Sequence, residues 1–388
     1  MFTVDELLQE PGLKKLAKSD RELVLAFTES LAKTHGSDLV GPDPRFQQMV
    51  ELAKANPQPG DVHIASELTD LSVVYLQDQG NFTASSAGVV SVERQSDGYL
   101  EYNRADMFRI ASDDLLRAPT AESAGSGFDA SLPTYSAKVY AWHKDVDEQL
   151  MANQRVGDPV DDALAYVVQA LLIAREQVFA ATLLTTGVWG ADKTGVPGAP
   201  GANQFKQWDA AGSTPRDDLS LYAVTIHEQT GIWPNCLVLQ PYVLKALLLN
   251  AQVTSAFQYT VAGAMPDLQG LAKALFSPAI AGASAPQIKV AGGVNTTTPK
   301  AAAADTITYV AGKVALLAYV NERPGLRSPS AWYTFAWSGL LGANAFGARI
   351  KDFPLDRNAV PHRIEGEMAF DIKKVSAPLG IFMTAAVS

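Results

Sequence analysis

The stretch from Asp158 to Trp189, DPVDDALAYVVQALLIAREQVFAATLLTTGVW, reads as one helix with nothing to break it before Gly187. Asp158 stands where an N-cap belongs and Pro159 occupies the first helical position. Asp161 and Asp162 load the first turn with negative charge, which favours the positive end of the helix dipole. About 26 residues at ~1.5 Å each make a rod of roughly 39 Å, where helices of globular proteins average about 11–12 residues. Such a rod can serve as a strut, and the segments around it decide what kind.

On a helical wheel Val160, Leu164, Val167, Val168, Leu171, Leu172, Val178 and Phe179 form one apolar stripe, with Asp162, Gln169, Glu176 and Gln177 on the opposite side. Arg175 falls inside the stripe. Its stem is expected to pack while its head reaches water; the alternative is a buried pair with a carboxylate from a sheet beneath. Arg175 and Glu176 also interrupt the apolar run short of the ~18–20 residues of a membrane span. The start MFTVDELLQE is acidic where a signal peptide is basic and then apolar, so cytoplasmic synthesis is expected. Asn81-Phe-Thr83 and Asn295-Thr-Thr297 match the glycosylation pattern by chance on that reading.

Residues 1–55 carry two charged segments with short apolar stripes, predicted helical, and Asn56-Pro-Gln-Pro-Gly60 marks a hinge. From Val62 the period shortens, predicting strands at Val73–Tyr75 and Val89–Glu93. Between about Ser96 and Val146 two arms, GYLEYNRADMFRI and TYSAKVYAWHKDV, flank the tip RAPTAESAGSGFDASLP. In the second arm Ala137, Val139 and Ala141 alternate with Lys138, Tyr140 and Trp142, the period of a strand. An isolated hairpin is marginal in water, so this two-stranded projection is expected to lie on something else, such as a neighbouring subunit. Past the rod, a Gly/Pro-rich loop runs from Gly187 to Pro215. Helices are predicted to start at Asp217-Asp218, Pro241 and Asp267, and strands at NCLVL (235–239), QIKV (287–290) and ITYV (307–310). The closing segments HRIEGEMAFDIKKV and APLGIFMTAAV predict two long strands forming a hairpin back onto the rod, with Phe370 and Ile372 on one face.

Little in the sequence speaks for catalysis. There is no GxGxxG, Walker A, GxSxG or HExxH. The five histidines, at positions 35, 63, 143, 227 and 362, lack metal-ligand spacing, so no metal and no cofactor are expected. Gly125-Ser126-Gly127 lies in the tip rather than on a strand-to-helix elbow. The pairs Asp113-Asp114, Asp161-Asp162 and Asp217-Asp218 are adjacent, and the last two are explained as helix starts. The single cysteine, Cys236, excludes an intramolecular disulfide and sits in an apolar run, as a buried, inert thiol would. Trp189 and Trp208 flank the Gly/Pro loop and are expected to pin it. A net charge of -10 argues against a surface given over to nucleic acid.

This order of parts resembles the major capsid proteins of tailed bacteriophages with the HK97 fold. The resemblance covers about residues 60–388. It is carried by SDGYLEYNRADMFRIASDDLLRAPTAES and TYSAKVYAWHKDVDEQLMANQ around the tip, by the rod itself, and by QWDAAGSTPRDDLSLYAVTIHEQTGIWPNCLVLQPYVLKALLLN. It implies an α+β fold: an N-terminal arm (1–60), an extended two-stranded E-loop (96–146) and a peripheral domain (61–95 and 147–214) built on a spine helix (159–186). An α/β axial domain (215–343) and return strands (344–388) complete it.

The resemblance further implies a structural protein rather than an enzyme. Its subunits form the hexamers and pentamers of an icosahedral shell enclosing double-stranded DNA in the virion, assembled in the host cytoplasm. Portal protein, a separate scaffolding protein and a decoration protein are the partners it suggests, with no membrane. Encapsulins, shells that hold a cargo enzyme, share the fold and stand as the alternative; a soluble α/β enzyme built on residues 215–340 is a third reading. Some relatives cross-link through an E-loop lysine, yet no lysine lies between Ser96 and Ala137 here, so a non-covalent shell is expected. The charged residues of that segment, Arg104, Arg109, Asp113, Asp114 and Arg117, are the candidates for inter-subunit contact. Residues 1–55, beginning at Met1, are expected to be an arm that stays.

Overall fold

In the computed structural model the described residues are 76–86, 88–125, 127–147, 158–257, 267–276, 285–296, 298, 306–325, 328–341, 348–354 and 362–388. The helices expected in residues 1–55 and the strand at Val73–Tyr75 lie outside them. The first half holds β1 (Val89–Val92), β2 (Ser96–Gly98), β3 (Glu101–Tyr102), α1 (Arg104–Phe108), β4 (Ala130–Ser131), β5 (Thr134–Ser136), β6 (Lys138–Val146) and α2 (Pro159–Leu183). There follow β7 (Lys193–Val196), β8 (Gln204–Lys206), α3 (Pro215–Thr230), β9 (Cys236–Leu239), α4 (Pro241–Leu249), α5 (Ala251–Phe257) and α6 (Leu268–Leu275). The chain continues with β10 (Gln287–Val290), β11 (Val294–Thr296), β12 (Ile307–Tyr309), β13 (Ala315–Ala318), β14 (Trp332–Trp337) and α7 (Ser338–Leu341). It ends with β15 (Ala348–Pro354), β16 (His362–Lys374) and β17 (Gly380–Thr384).

The predicted rod is α2. Asp158 caps it, its Oδ1 accepting from the Val160 amide at 2.8 Å. The helix stops at Leu183, where the Trp189 indole donates to the Leu183 carbonyl at 2.7 Å and satisfies a group the last turn leaves open. By length and composition α2 could cross a membrane, which corrects the expectation that no segment qualifies. Its buried residues instead serve an internal core: Ala163, Val167, Leu171 and Phe179 sit over β16 and its neighbours. β16 alternates accordingly. Ile364, Met368, Phe370 and Ile372 point into that core, while Glu365, Asp371 and Lys373 between them carry charge. Arg363 forks onto Asp145 at 2.7 and 2.9 Å, and Lys351 meets Glu367 at 2.8 Å.

Two expectations for α2 fail at adjacent residues. Arg175 does not reach water; it is 6% exposed, and burial pulls its guanidinium below the usual value against the opposing pull of the Glu176 charge beside it. Glu176, placed on the polar side by its period, is 2% exposed. The helical wheel locates it correctly, but residues 82–85 roof that side of the helix.

Two sheets share the work. One has five strands, with β1 parallel to β14, β14 antiparallel to β16, and β16 also paired with β15 and β6. The other runs β10-β9-β13-β17-β7-β8, in which β13 alone opposes the rest. The last two strands therefore do not form the predicted hairpin: β16 lies under α2, and β17 is inserted between β13 and β7. Their connection contains Pro378 in a short 3-10 turn and carries the chain from one sheet to the other. The predicted strand ITYV is likewise set apart, as β12 pairs only with β11 in a two-stranded ribbon.

The second sheet is buried on both faces, as the apolar run NCLVL predicts. Cys236, Val238, Leu316 and Phe382 face the α2 core, while Leu237, Leu239, Leu317 and Ile381 face α3, α4 and α6. Within α3, Pro215 opens the helix, Asp217 and Asp218 fill the first turn, and Gly231 takes the left-handed conformation at its end. Trp189 and Trp208 are both buried, and the Trp208 indole donates to Asp218 at 3.2 Å, pinning the Gly/Pro loop from each side. That loop contributes β7 and β8, strands too short to show a period in the sequence.

Candidate subunit-contact surface

Residues 94–137 leave the five-stranded sheet as a narrow double strand. The root is fixed by aromatic stacking: the Phe335 ring of β14 lies between Tyr135, at 4.6 Å, and Tyr99, at 5.4 Å. Beyond them, Ala137 donates its amide to the Gln95 carbonyl at 2.8 Å, and the Ser136 amide donates to Asp371 of β16 at 2.8 Å. Burial, helped by the charges of Glu101 and Asp371, pushes the Tyr99 phenol up to about 12, so the ring stays neutral in its seat.

Outward from the root, β2 pairs with β5 and β3 with β4, each over two or three residues. Gly98 allows this ladder to close, since a β-carbon there would stand 2.7 Å from the Leu132 side chain. At the tip Asn103 caps α1 by accepting from the Ala105 amide, and Asp106 accepts from the Asp129 amide at 3.0 Å. Tyr102 meets Phe128 edge-on at 5.3 Å. These bonds shape the tip without giving it a core. Leu100, Phe108, Ile110, Leu115, Leu116 and Leu132 are between 62% and 80% exposed. So many large apolar side chains on one extension, with charged groups among them, is the pattern of a surface covered by another molecule.

All five charged candidates belong to this tip, but the described residues join none of them to another. Arg104 opens α1 and donates to the Gln229 carbonyl in the last turn of α3 at 2.7 Å. Arg117 donates to the nearby Ala121 carbonyl at 2.5 Å. Arg109 and Asp113 are exposed. Asp114 belongs to the short 3-10 turn Asp113–Leu115, and its side chain lies outside the described residues. The charge pattern singles out this segment but not its exposed apolar side chains, whose signal is the unpaired Leu-Leu of SDDLLR and its lack of period.

A cleft of about 870 Å³ lies against the edge strand β10, lined by Lys273, Lys289, Glu322, Arg323, Cys236 and Ser86 among others. Among the described residues its lining has no histidine and one acid, Glu322. The Cys236 thiol is pushed up to about 12 by burial, which makes it a poor nucleophile. Among the described residues no group of three His, Cys, Asp or Glu could hold a metal ion.

No protein-family model matches the chain, and no curated protein sequence does. Solved structures do match. A phage-related protein from Bordetella bronchiseptica RB50 aligns with a TM-score of 0.56 at 20% identity, covering 80% of this chain and 94% of that one. The capsid of cyanophage P-SCSP1u aligns with a TM-score of 0.51 at 11% identity, covering 86% and 93%. At these identities the likeness is one of architecture: the chain has the HK97-type α+β fold of phage capsid proteins.

Proposed function

We propose that this protein is the shell-forming subunit of a phage capsid, assembling into hexamers and pentamers of an icosahedral particle around double-stranded DNA. On this reading residues 96–146 are the E-loop, α2 is the spine, residues 215–343 make most of the axial domain, and the contacts between subunits are non-covalent. The observation that carries it is the hairpin of residues 94–137, rigid at its aromatic root and apolar at a tip that the described residues leave open. Covering a few hundred Å² of such surface at ~25 cal/mol per Å² contributes several kcal/mol before ordering costs. Repeated over every subunit, contacts of that size make a durable shell.

Electron microscopy of the expressed protein tests the reading directly. Closed particles of icosahedral symmetry are expected, with nucleic acid inside those recovered from an infected host; a monomer at high concentration, or a cargo enzyme as the content, would overturn it. Denaturing gels of the particles should show the monomer band alone, since the hairpin carries no lysine to cross-link. Arg109 and Asp113 are assigned to ion pairs across the contact, each worth only ~0–1 kcal/mol when exposed. Charge reversal at either should slow assembly, and reversal of both should restore it; failure of the double variant to rescue would count against the pairing.

A further inference from the structure

Residues 76–86 contain nothing longer than a three-residue 3-10 turn, yet they are held in three places, two of them through side chains. The Gln77 amide reads the backbone of β11 in both directions, donating to the Val294 carbonyl at 2.8 Å and accepting from the Val294 amide at 2.9 Å. The Gly292 amide donates to the Asn81 carbonyl at 3.1 Å. Glu176 of α2 then accepts from two donors of the strap: the Thr83 hydroxyl on one carboxyl oxygen and the Ala84 amide, at 2.8 Å, on the other. Gly292 and Gly293 leave the space for this. A β-carbon on the first would meet the Asn81 side chain at 3.0 Å, and one on the second would meet Glu176 Cγ at 3.2 Å. Phe82, Thr83 and Ala84 are buried as a result.

The chemistry of the seat is unusual for a segment that merely packs. Covering a helix needs only apolar side chains, and a buried polar group is costly unless it is bonded. Here the roof covers Glu176 and lies beside the equally buried Arg175. A seat of this kind holds firmly when closed, because both carboxyl oxygens are satisfied. It also opens at modest cost, because water can replace the two strap donors on a polar group and cannot do so on an apolar one. We propose that residues 76–86 form a clasp, with Glu176 as its catch, that holds this strap against α2 and β11 and can release it without disturbing either sheet.

Peptide-resolved hydrogen exchange on the full chain, with limited proteolysis, tests this. In Glu176→Ala, which removes both acceptors, exchange across residues 83–86 should rise roughly ten-fold or more, the scale of at least one lost buried hydrogen bond. Protease should then cut within residues 76–86 faster, while α2 and β16 exchange as before. Thr83→Val removes one bond without changing shape and should give a smaller rise in the same place. Gln77→Ala should speed exchange at the Val294 amide and leave residues 83–86 protected. Unchanged exchange at 83–86 in Glu176→Ala would overturn the proposal. So would an equal rise throughout α2 and β16, which would make Glu176 an ordinary core residue.

Discussion

Gly366 of β16 faces Leu171 of α2 so closely that a β-carbon on the glycine would lie 2.6 Å from the leucine Cδ1, and 2.7 Å from Val167 Cγ1. The helix rests on the strand where the strand has no side chain. Gly366→Ala should therefore push α2 outward along its whole contact, and Gly366→Val further. The expected cost is about 1–3 kcal/mol, as for other overpacked cores, read as a lower denaturant midpoint. A midpoint equal to that of the parent would show that the helix moves aside freely.

Phe382 occupies the middle of β17 and is buried against the α2 core, whereas its neighbours Ile381 and Met383 enter the other core. Phe382→Ala should cost about 3–5 kcal/mol, the usual range for a large buried aromatic. One strand serves both faces, so the amide exchange of α2 and that of α3 should both register the loss. A change on one face alone would mean that the two cores are not mechanically joined through this strand.

Leu115 and Leu116 are largely exposed, with little internal packing among the described residues to lose. Replacing both by serine should leave the melting temperature of the isolated subunit nearly unchanged, within the roughly ±0.5 kcal/mol typical of surface sites. Particle yield should fall sharply. Loss of subunit stability instead would place these leucines in an internal contact.

Asp218 offers a test by pH. Burial raises its carboxyl above the ordinary aspartate value, the Trp208 indole bond lowers it, and the Asp217 charge raises it further, with a net upward shift. A carboxyl raised in the folded state costs stability when ionised, and the cost disappears as pH falls through the folded value toward the unfolded one. Asp218→Asn keeps an acceptor for Trp208. It should be at least as stable as the parent at about pH 7.5, with the difference shrinking toward pH 4 as the parent carboxyl takes up its proton. Thermal melts at the two pH values check this, and a variant less stable than the parent only at the higher pH would reverse the sign.

Local chemistry written in adjacent residues was legible in the sequence. Asp158-Pro159 starts α2, Pro241 starts α4, Gly231 ends α3, and the run from Cys236 to Leu239 is a strand buried on both faces. What escaped depends on partners distant in the chain. Glu176 looked solvent-facing because its roof, residues 82–85, comes some 90 positions earlier. Trp332–Trp337 is buried nearly throughout and shows no alternation, so its strand was passed over. β16 and β17 look like partners because they are consecutive, yet a short turn sends them to different sheets. In the candidate contact surface, charge marked the segment, but exposure of its apolar groups is a property of the folded molecule alone.

The position of β17 also has a bearing on how the chain is made. Its Met383 pairs with Lys193, almost half the chain away, and on its other side with Ala315. As the polypeptide emerges from the ribosome, β7 and β13 wait with a gap between them, each offering a row of unpaired backbone groups to any other chain nearby. Closing that gap is a long-range event and correspondingly slow. The same strand that joins the two cores in the finished subunit thus sets the interval during which unfinished ones are exposed to wrong pairing.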